Sequence, residues 1–246
     1  VEKIMPGNSP LWQVPKMELP HAHLVNLQQV LEERLTRISN QFNDVRFATS
    51  LAAEDMAVTD GIAKYAKSIR IFTLFTGRLH DQTIQMKNTV ENHYGLSIDG
   101  VEPQVQDVQA FIAQYGLNGF YDSEEAKKSC CYARKVKPLE LALNGAQAWV
   151  TGLRRSQAIT RNELTFEELD EVRGIPKFNP IFDWSDDDLW AYLAWQQVPL
   201  HPLHHQGYPS IGCEPCTRAI RADEDLRAGR WWWLNKQSKE CGLHLK

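Results

Sequence analysis

The chain has 246 residues, 43% of them apolar and 24% charged, with a formal net charge of −4. That length holds one large α/β domain or two small ones, and the apolar share suits a globular chain with a full core. The acidic balance argues against a general nucleic-acid coat, and no stretch approaches the roughly 18 consecutive apolar residues that a membrane-spanning helix needs.

Residues 1–20 carry Pro6, Pro10, Pro15 and Pro20 and no signal-peptide pattern, so they read as a loose arm on a cytoplasmic chain. From His23 to Asn43 the apolar residues Leu24, Leu27, Val30, Leu31, Leu35 and Ile38 fall at helical spacing. Val45 to Ser50 reads as a strand, Glu54 to Ser68 as a helix, and Ile69 to Phe75 as a second strand. Asp81 to Tyr94 is a helix, Leu96 to Val101 a third strand, and Pro103 to Tyr115 a further helix. Gln147 to Leu153 is a fourth strand and Ile175 to Asn179 a fifth. Ser185 caps a last helix to Gln196, with Asp186, Asp187 and Asp188 favouring its first turn. Strands alternating with helices predict an α/β fold, a mostly parallel sheet flanked by helices. Ligands of such sheets bind outside the carboxyl ends of the strands. Thr49-Ser50, Thr76-Gly77-Arg78 and Gly152-Leu153-Arg154-Arg155 all fall there and are expected to line one crevice.

The five cysteines form two close pairs, Cys130/Cys131 and Cys213/Cys216, plus Cys241 near the end. An odd count with close pairs fits metal binding plus a reactive thiol better than a disulfide framework. Four thiolates suffice for one tetrahedral zinc or one cubane iron–sulfur cluster. Neighbours on a helix diverge by roughly 100°, so the Cys130-Cys131 doublet serves a bulky cubane more easily than a single ion; a pair of buried inert thiols is the alternative. Cys241 stands beside Gly242 and near Lys239 and His244, and nearby positive charge would favour its thiolate.

The loop Thr49 to Asp55 joins a strand to a helix, where small residues would let backbone amides approach an anion. It lacks the Gly-Lys-Ser/Thr ending of a Walker loop and also fits an ordinary tight turn. Arg78 could fork onto a phosphate or sulfate, though alone it reads as a residue on a solvated loop. Arg134, Lys135 and Lys137 follow the first cysteine pair; Arg218, Arg221, Arg227 and Arg230 follow the second; Arg154, Arg155 and Arg161 follow the fourth strand. Guanidinium groups gathered beside cysteines and strand ends in an acidic chain suit a small anionic ligand. His201, His204 and His205 surround Pro202 without a matching acid and read as a loop rather than a metal site. Trp231, Trp232 and Trp233 are expected to pack the base of the tail onto the core.

Together these segments resemble the assimilatory adenylyl-sulfate reductases, relatives of the phospho-adenylyl-sulfate reductases. The resemblance runs from about Val45 to the C-terminus. It rests on Glu54-Asp55, Thr76-Gly77-Arg78-Leu79, Cys130-Cys131 with Arg134-Lys135, Gly152-Leu153-Arg154-Arg155, Asn179-Pro180 and Asp183-Trp184-Ser185. Cys213-Glu214-Pro215-Cys216-Thr217-Arg218 and Lys239-Glu240-Cys241-Gly242-Leu243-His244 are its most specific parts. The chain departs from the family at Ala52, where Gly is usual, at Phe75, where Asp is usual, and at Leu234, where the tryptophan run commonly continues into Glu. The fold implied is the adenine-nucleotide α-hydrolase-like sheet.

The resemblance further implies a sulfonucleotide bound by Thr49, Ser50, Glu54, Asp55, Thr76, Gly77, Arg78, Lys135, Gly152, Arg154, Arg155, Arg227 and Arg230. It implies a [4Fe-4S] cluster on Cys130, Cys131, Cys213 and Cys216, with Cys241 as the nucleophile, thioredoxin as the protein partner and a homo-oligomeric state. The expected division is an arm over 1–20, a sulfonucleotide-binding domain over 21–230 and a mobile tail over 231–246. Three rivals stand beside this reading: a reductase of the 3′-phosphorylated nucleotide, a thiolation enzyme of the ATP pyrophosphatase kind, and a non-catalytic metal-stabilised module.

Overall fold

A computed structural model gives the structure and describes residues 9–158 and 161–234. The first helical pattern becomes α1 (His21–Gln41), whose Leu24, Leu27, Leu31, Leu35 and Ile38 are buried along one stripe. Next come β1 (Val45–Ala48), α2 (Ala53–Tyr65), β2 (Arg70–Leu74), α3 (Asp81–Tyr94), β3 (Ile98–Val101) and α4 (Val105–Tyr115). Gly95, left-handed at φ 63°, ends α3 because it carries no Cβ to clash there.

Between α4 and β4 (Ala148–Val150) lies a helical stretch that no sequence signal marked. It comprises α5 (Glu124–Cys131), a widened π turn at Tyr132–Val136, and α6 (Lys137–Leu143). Ser123 caps its start by accepting from the Ala126 amide. Pro138 has no N–H for the α-helical bond to the carbonyl four residues back. The wider turn just before it absorbs that break.

A second unforeseen element is β5 (Glu167–Asp170), which pairs antiparallel with β6 (Ile175–Phe178). The last helix, α7 (Asp186–Trp195), carries the expected cap, with Ser185 and Asp188 in a reciprocal capping box.

The sheet has six strands in the order β3-β2-β1-β4-β6-β5, parallel except for β5. The main core packs α1, α2 and α7 on one face, around Leu31, Leu35, Met56, Phe47, Tyr192 and Leu193. α6 covers the other face through Leu139 and Leu143 against Phe72 and Trp149. Among the described residues no helix is long and apolar enough to cross a membrane.

Part of the stretch read as a loose arm is docked. The Trp12 amide bonds the Ile220 carbonyl at 2.9 Å, the Ala222 amide bonds Pro10, and the Trp12 ring is buried against Trp190. Hydrophobic burial of one indole explains why a proline-rich segment is held: the large apolar side chain outweighs the absence of regular structure.

Candidate active site

From β1 the chain runs outward to β2 and β3, then returns to place β4 on the other side of β1. Loops leaving β1 and β4 therefore part in opposite directions, and a crevice opens above the pair. It is a cleft of about 440 Å³. Of the residues expected to bind ligand, Thr49, Ser50, Glu54, Asp55, Thr76, Lys135, Gly152, Arg154, Arg227 and Arg230 line it. Gly77, Arg78 and Arg155 lie outside that lining. The Arg155 Nε instead donates to the Leu164 carbonyl at 2.7 Å, with its guanidinium over Phe182.

The loop after β1 does not hold its amides out to an anion, as the sequence suggested. The Thr49 amide donates to Phe72, Ser50 to Asp55 Oδ2 at 2.6 Å, and Leu51 to Thr49 Oγ1. Ala52 donates to Ser50 Oγ, and Ala53 to His204 Nε2 at 3.2 Å. Each N–H from Thr49 to Ala53 is spent inside the protein. Leu51 holds φ 61°, a left-handed geometry that a bulky residue adopts only under constraint, at a cost of about 1–3 kcal/mol. Its side chain is fully buried, which supplies the constraint. Burial pushes the Asp55 carboxyl up to about 6, against the hydrogen bonds from Ser50 and Gly152 that favour its ionised form.

Gly152 is where β4 meets this loop, and a Cβ there would collide with Asp55 Oδ1. Gly152→Ala is expected to force Asp55 off Ser50 and lower stability by about 1–3 kcal/mol, read as a fall in Tm. An unchanged Tm would show that the two loops have slack between them.

Arg154 lines the cleft but is only 2% exposed. Its Nη2 bonds Glu54 at 2.9 Å and Asp186 at 2.8 Å, while Nη1 bonds Ser156 and the Trp184 carbonyl. It thus ties the end of β4 to the starts of α2 and α7. Its charge holds the half-buried Glu54 carboxyl below the usual range against the desolvation that opposes ionisation. With two carboxylates on one guanidinium, Arg154 is a pin between elements more than a free anion ligand. Asp186, read from sequence only as a helix-start residue, is the half of this pin that pattern reading missed.

The opposite wall of the cleft meets the cysteines. Cys130, Cys131, Cys213 and Cys216 line one small cavity together with Arg78, Phe120, Arg134, Lys135, Pro215 and Trp231. Lys135 and Trp231 line both spaces and form the partition between them. The Thr76-Gly77-Arg78 turn belongs to this side. Thr76 Oγ1 lies 3.2 Å from Cys213 Sγ, Arg134 donates to the Thr76 carbonyl, and Arg78 bonds Asn118 and covers Phe120. Gly77, at φ 69°, makes the turn possible and would carry a side chain into Arg134.

No disulfide joins the four thiols. Burial raises the Cys130 thiol, and burial with Cys213 nearby pushes Cys216 up to about 12. Burial thus makes Cys130 and Cys216 harder to ionise, and as thiolates they need positive charge beside them. Among the described residues, no group of three or more His, Cys, Asp or Glu side chains converges on a single metal ion. The four thiols share one small cavity, and four thiolates suffice for one zinc or one cubane cluster.

The segment after Cys216 carries Arg227 and Arg230. Arg230 is buried, bonds Ser210 Oγ and the Ile211 carbonyl, and stacks on Trp231 at 4.5 Å. Lys127 covers the same ring at 4.3 Å, so Trp231 sits between two cations. The tryptophan run divides: Trp231 is buried as expected, whereas Trp232 is 40% exposed.

Arg218 and Glu224 clamp the start of this segment. The Arg218 hydrogen bond, with the Arg221 amide, lowers the Glu224 carboxyl to about 2 from 4.5. A depressed carboxylate contributes stability that is present above its unfolded pKa and lost as pH falls through the folded one. Glu224→Gln is accordingly expected to cost about 1 kcal/mol at pH 7, the modest value of a partly exposed pair. The gap should narrow as the medium is acidified below the unfolded carboxylate range, followed by urea unfolding of both proteins. A gap that is constant with pH would remove the ion pair as its cause.

Cys241, the expected nucleophile, lies outside the described residues. Residues 44–219 match the phosphoadenosine phosphosulfate reductase domain. This chain belongs to that family. Its relatives include the adenosine 5′-phosphosulfate reductase of Burkholderia cepacia, 54% identical over 87% of this chain and 86% of that one. The enzyme of the same name from Neisseria meningitidis serogroup A is 50% identical over 95% of this chain and 97% of its own. Among solved structures, phosphoadenylyl-sulfate reductase from Candida auris aligns with a TM-score of 0.65 at 24% identity, over 84% of this chain and all of that one. Candida glabrata FMN adenylyltransferase aligns at 0.56 and 12% identity, over 92% and 81%. At those identities the two structures speak for the fold alone, the mostly parallel α/β sheet flanked by helices that the sequence led us to expect.

Proposed function

We propose that the chain reduces adenosine 5′-phosphosulfate to sulfite and AMP. The observation that carries this reading is the shared partition: one cation, Lys135, and one indole, Trp231, face both the nucleotide-sized cleft and the four-cysteine cavity. Relatives that match nearly end to end bear the name of that activity. The sulfonucleotide lies with its sulfate toward Lys135, Arg227 and Arg230, where fixed cations neutralise the charge that shifts during sulfuryl transfer.

The Cys241 thiolate attacks the sulfate sulfur and the bond from sulfur to the bridging oxygen breaks. AMP leaves with that bond's electron pair, and Cys241 is left as an S-sulfonate. A thioredoxin thiolate attacks Cys241 Sγ, sulfite departs with the sulfur–sulfur pair, and the second thioredoxin thiol resolves the mixed disulfide. The two electrons come from the dithiol. Cys130, Cys131, Cys213 and Cys216 would hold a [4Fe-4S] cluster, which supplies an anionic, polarisable group beside the sulfate end. Lys135 stands between the two and screens one from the other. Cys241 serves the sulfonucleotide first and the partner's thiol second; the setting is cytoplasmic.

The loop after β1 argues against the pyrophosphatase rival. A site that grips pyrophosphate needs free loop amides, and here Ser50 to Ala53 bond Asp55, Thr49, Ser50 and His204. The deciding experiment supplies thioredoxin and compares sulfite release from adenosine 5′-phosphosulfate and from its 3′-phosphorylated form. Sulfite from the first in preference is expected. Equal or better efficiency with the second would move the substrate and leave the Cys241 chemistry; no sulfite from either would end the reading.

A further inference from the structure

His204 is fully buried in the turn after α7, and no role falls to it in the reaction above. Its ring is committed at both nitrogens. Nδ1 lies 2.7 Å from the Tyr208 carbonyl, which can only accept, so Nδ1 carries the proton. Nε2 is then a lone pair, and it takes the Ala53 amide at 3.2 Å. Trp190 meets the ring edge-on at 5.4 Å, and Trp12 packs on it at 6.3 Å. A ring with neither nitrogen spare and no exposed surface can neither ligate a metal nor shuttle a proton to substrate.

What it does instead follows from α2. That helix starts on Ala52, which has no side-chain acceptor to cap the first turn. The capping group arrives from a distant part of the chain, as the imidazole of His204. The loop it closes is the one that lines the cleft with Thr49, Ser50 and Asp55, and its Leu51 is held left-handed. Asp55 ties this loop at Ser50, and His204 ties it at Ala53.

We propose that His204 is a positioning residue of the nucleotide cleft: its neutral imidazole caps α2 from a distance and fixes the backbone that presents Ser50 and Asp55 to the ligand. This rests on the reading of the cleft as the nucleotide site.

The test uses AMP as probe, by calorimetry on the purified protein, with steady-state sulfite release beside it. His204→Leu removes the acceptor. It is expected to weaken AMP about tenfold and to raise KM by a similar factor, with kcat changed less. His204→Gln, whose amide oxygen can reach the place of Nε2, should stay within about threefold of the parent. Val90→Ala, a buried change in α3 distant in sequence from the loop, serves as the stability control. Should His204→Leu fail to fold, His204→Asn takes its place, since its shorter amide reaches only toward Tyr208. Parent-like AMP affinity in the acceptor-less variant would overturn the proposal, as would equal losses in the Gln variant or in Val90→Ala. A parent protein that binds no AMP would instead bring down the cleft assignment beneath it.

Discussion

Cys241→Ser is expected to abolish sulfite formation, a loss of at least about a thousandfold, while AMP affinity stays within about twofold of the parent. The size follows from the chemistry. A serine hydroxyl is a far weaker nucleophile than a thiolate near neutral pH. Even if it reacted, an O-sulfonate could not take electrons from a dithiol, because it holds no sulfur–sulfur bond for thioredoxin to break. Thr49, Ser50, Asp55 and Arg154 line the cleft whatever stands at position 241, which is why nucleotide binding should survive. Incubating the parent with substrate before adding reductant should leave a sulfonate mass on the peptide that contains Cys241. Turnover in the serine variant, or the adduct on another cysteine, would take the nucleophile's role away from it.

The second large effect concerns Cys216→Ala. Iron and acid-labile sulfide, expected near four of each per chain in the parent, should fall away in the variant, and sulfite release with them. Burial and its cysteine neighbours push the Cys216 thiol up to about 12. It is also tied to the base of the tail, since its carbonyl accepts the Trp231 amide at 3.1 Å. Losing the group it helps hold would slacken the partition that Trp231 forms with Lys135. Stoichiometric zinc without sulfide in the anaerobically purified parent would refute the cluster. Full iron content in the variant would refute Cys216 as a ligand.

The parallel strands were legible because short stretches rich in apolar and β-favouring residues alternate with helical patterns and are set off by turn residues, and the chain order of elements was enough to open a crevice at the ends of β1 and β4. β5 was illegible for the converse reason. Glu167-Glu168-Leu169-Asp170 is charged on both faces, and its partner β6 lies across a turn closed by Asp170 and Gly174. The helical stretch from Glu124 to Leu143 escaped because its π turn breaks the period that a helical pattern depends on. At the site, residue types pointed correctly to the crevice for Thr49, Ser50, Asp55 and Lys135. Side-chain direction could not be read. Arg154 and Arg155 are neighbours in the chain, yet one is buried between Glu54 and Asp186 and the other leaves the cleft for Leu164. The bond between His204 and Ala53 is not legible either, because Ala53 is far away in sequence and offers a backbone amide, which no residue pattern records.

The π turn at Tyr132–Val136 also sets an angular phase. It contains one residue more than an α-helical path of the same rise, so α5 and α6 are offset by roughly 100° about their common axis. Leu139 and Leu143 are clocked to the sheet while Cys130 and Cys131 are clocked to the Cys213–Cys216 turn. A single-residue deletion within the turn would let the helix run unbroken up to Pro138. It would then be unable to keep both faces in register: either the leucines leave the sheet or the cysteine doublet swings away from its partners. Tolerance to insertion and deletion should therefore be lowest over these five residues, in the middle of a helix whose exposed positions otherwise accept substitution freely.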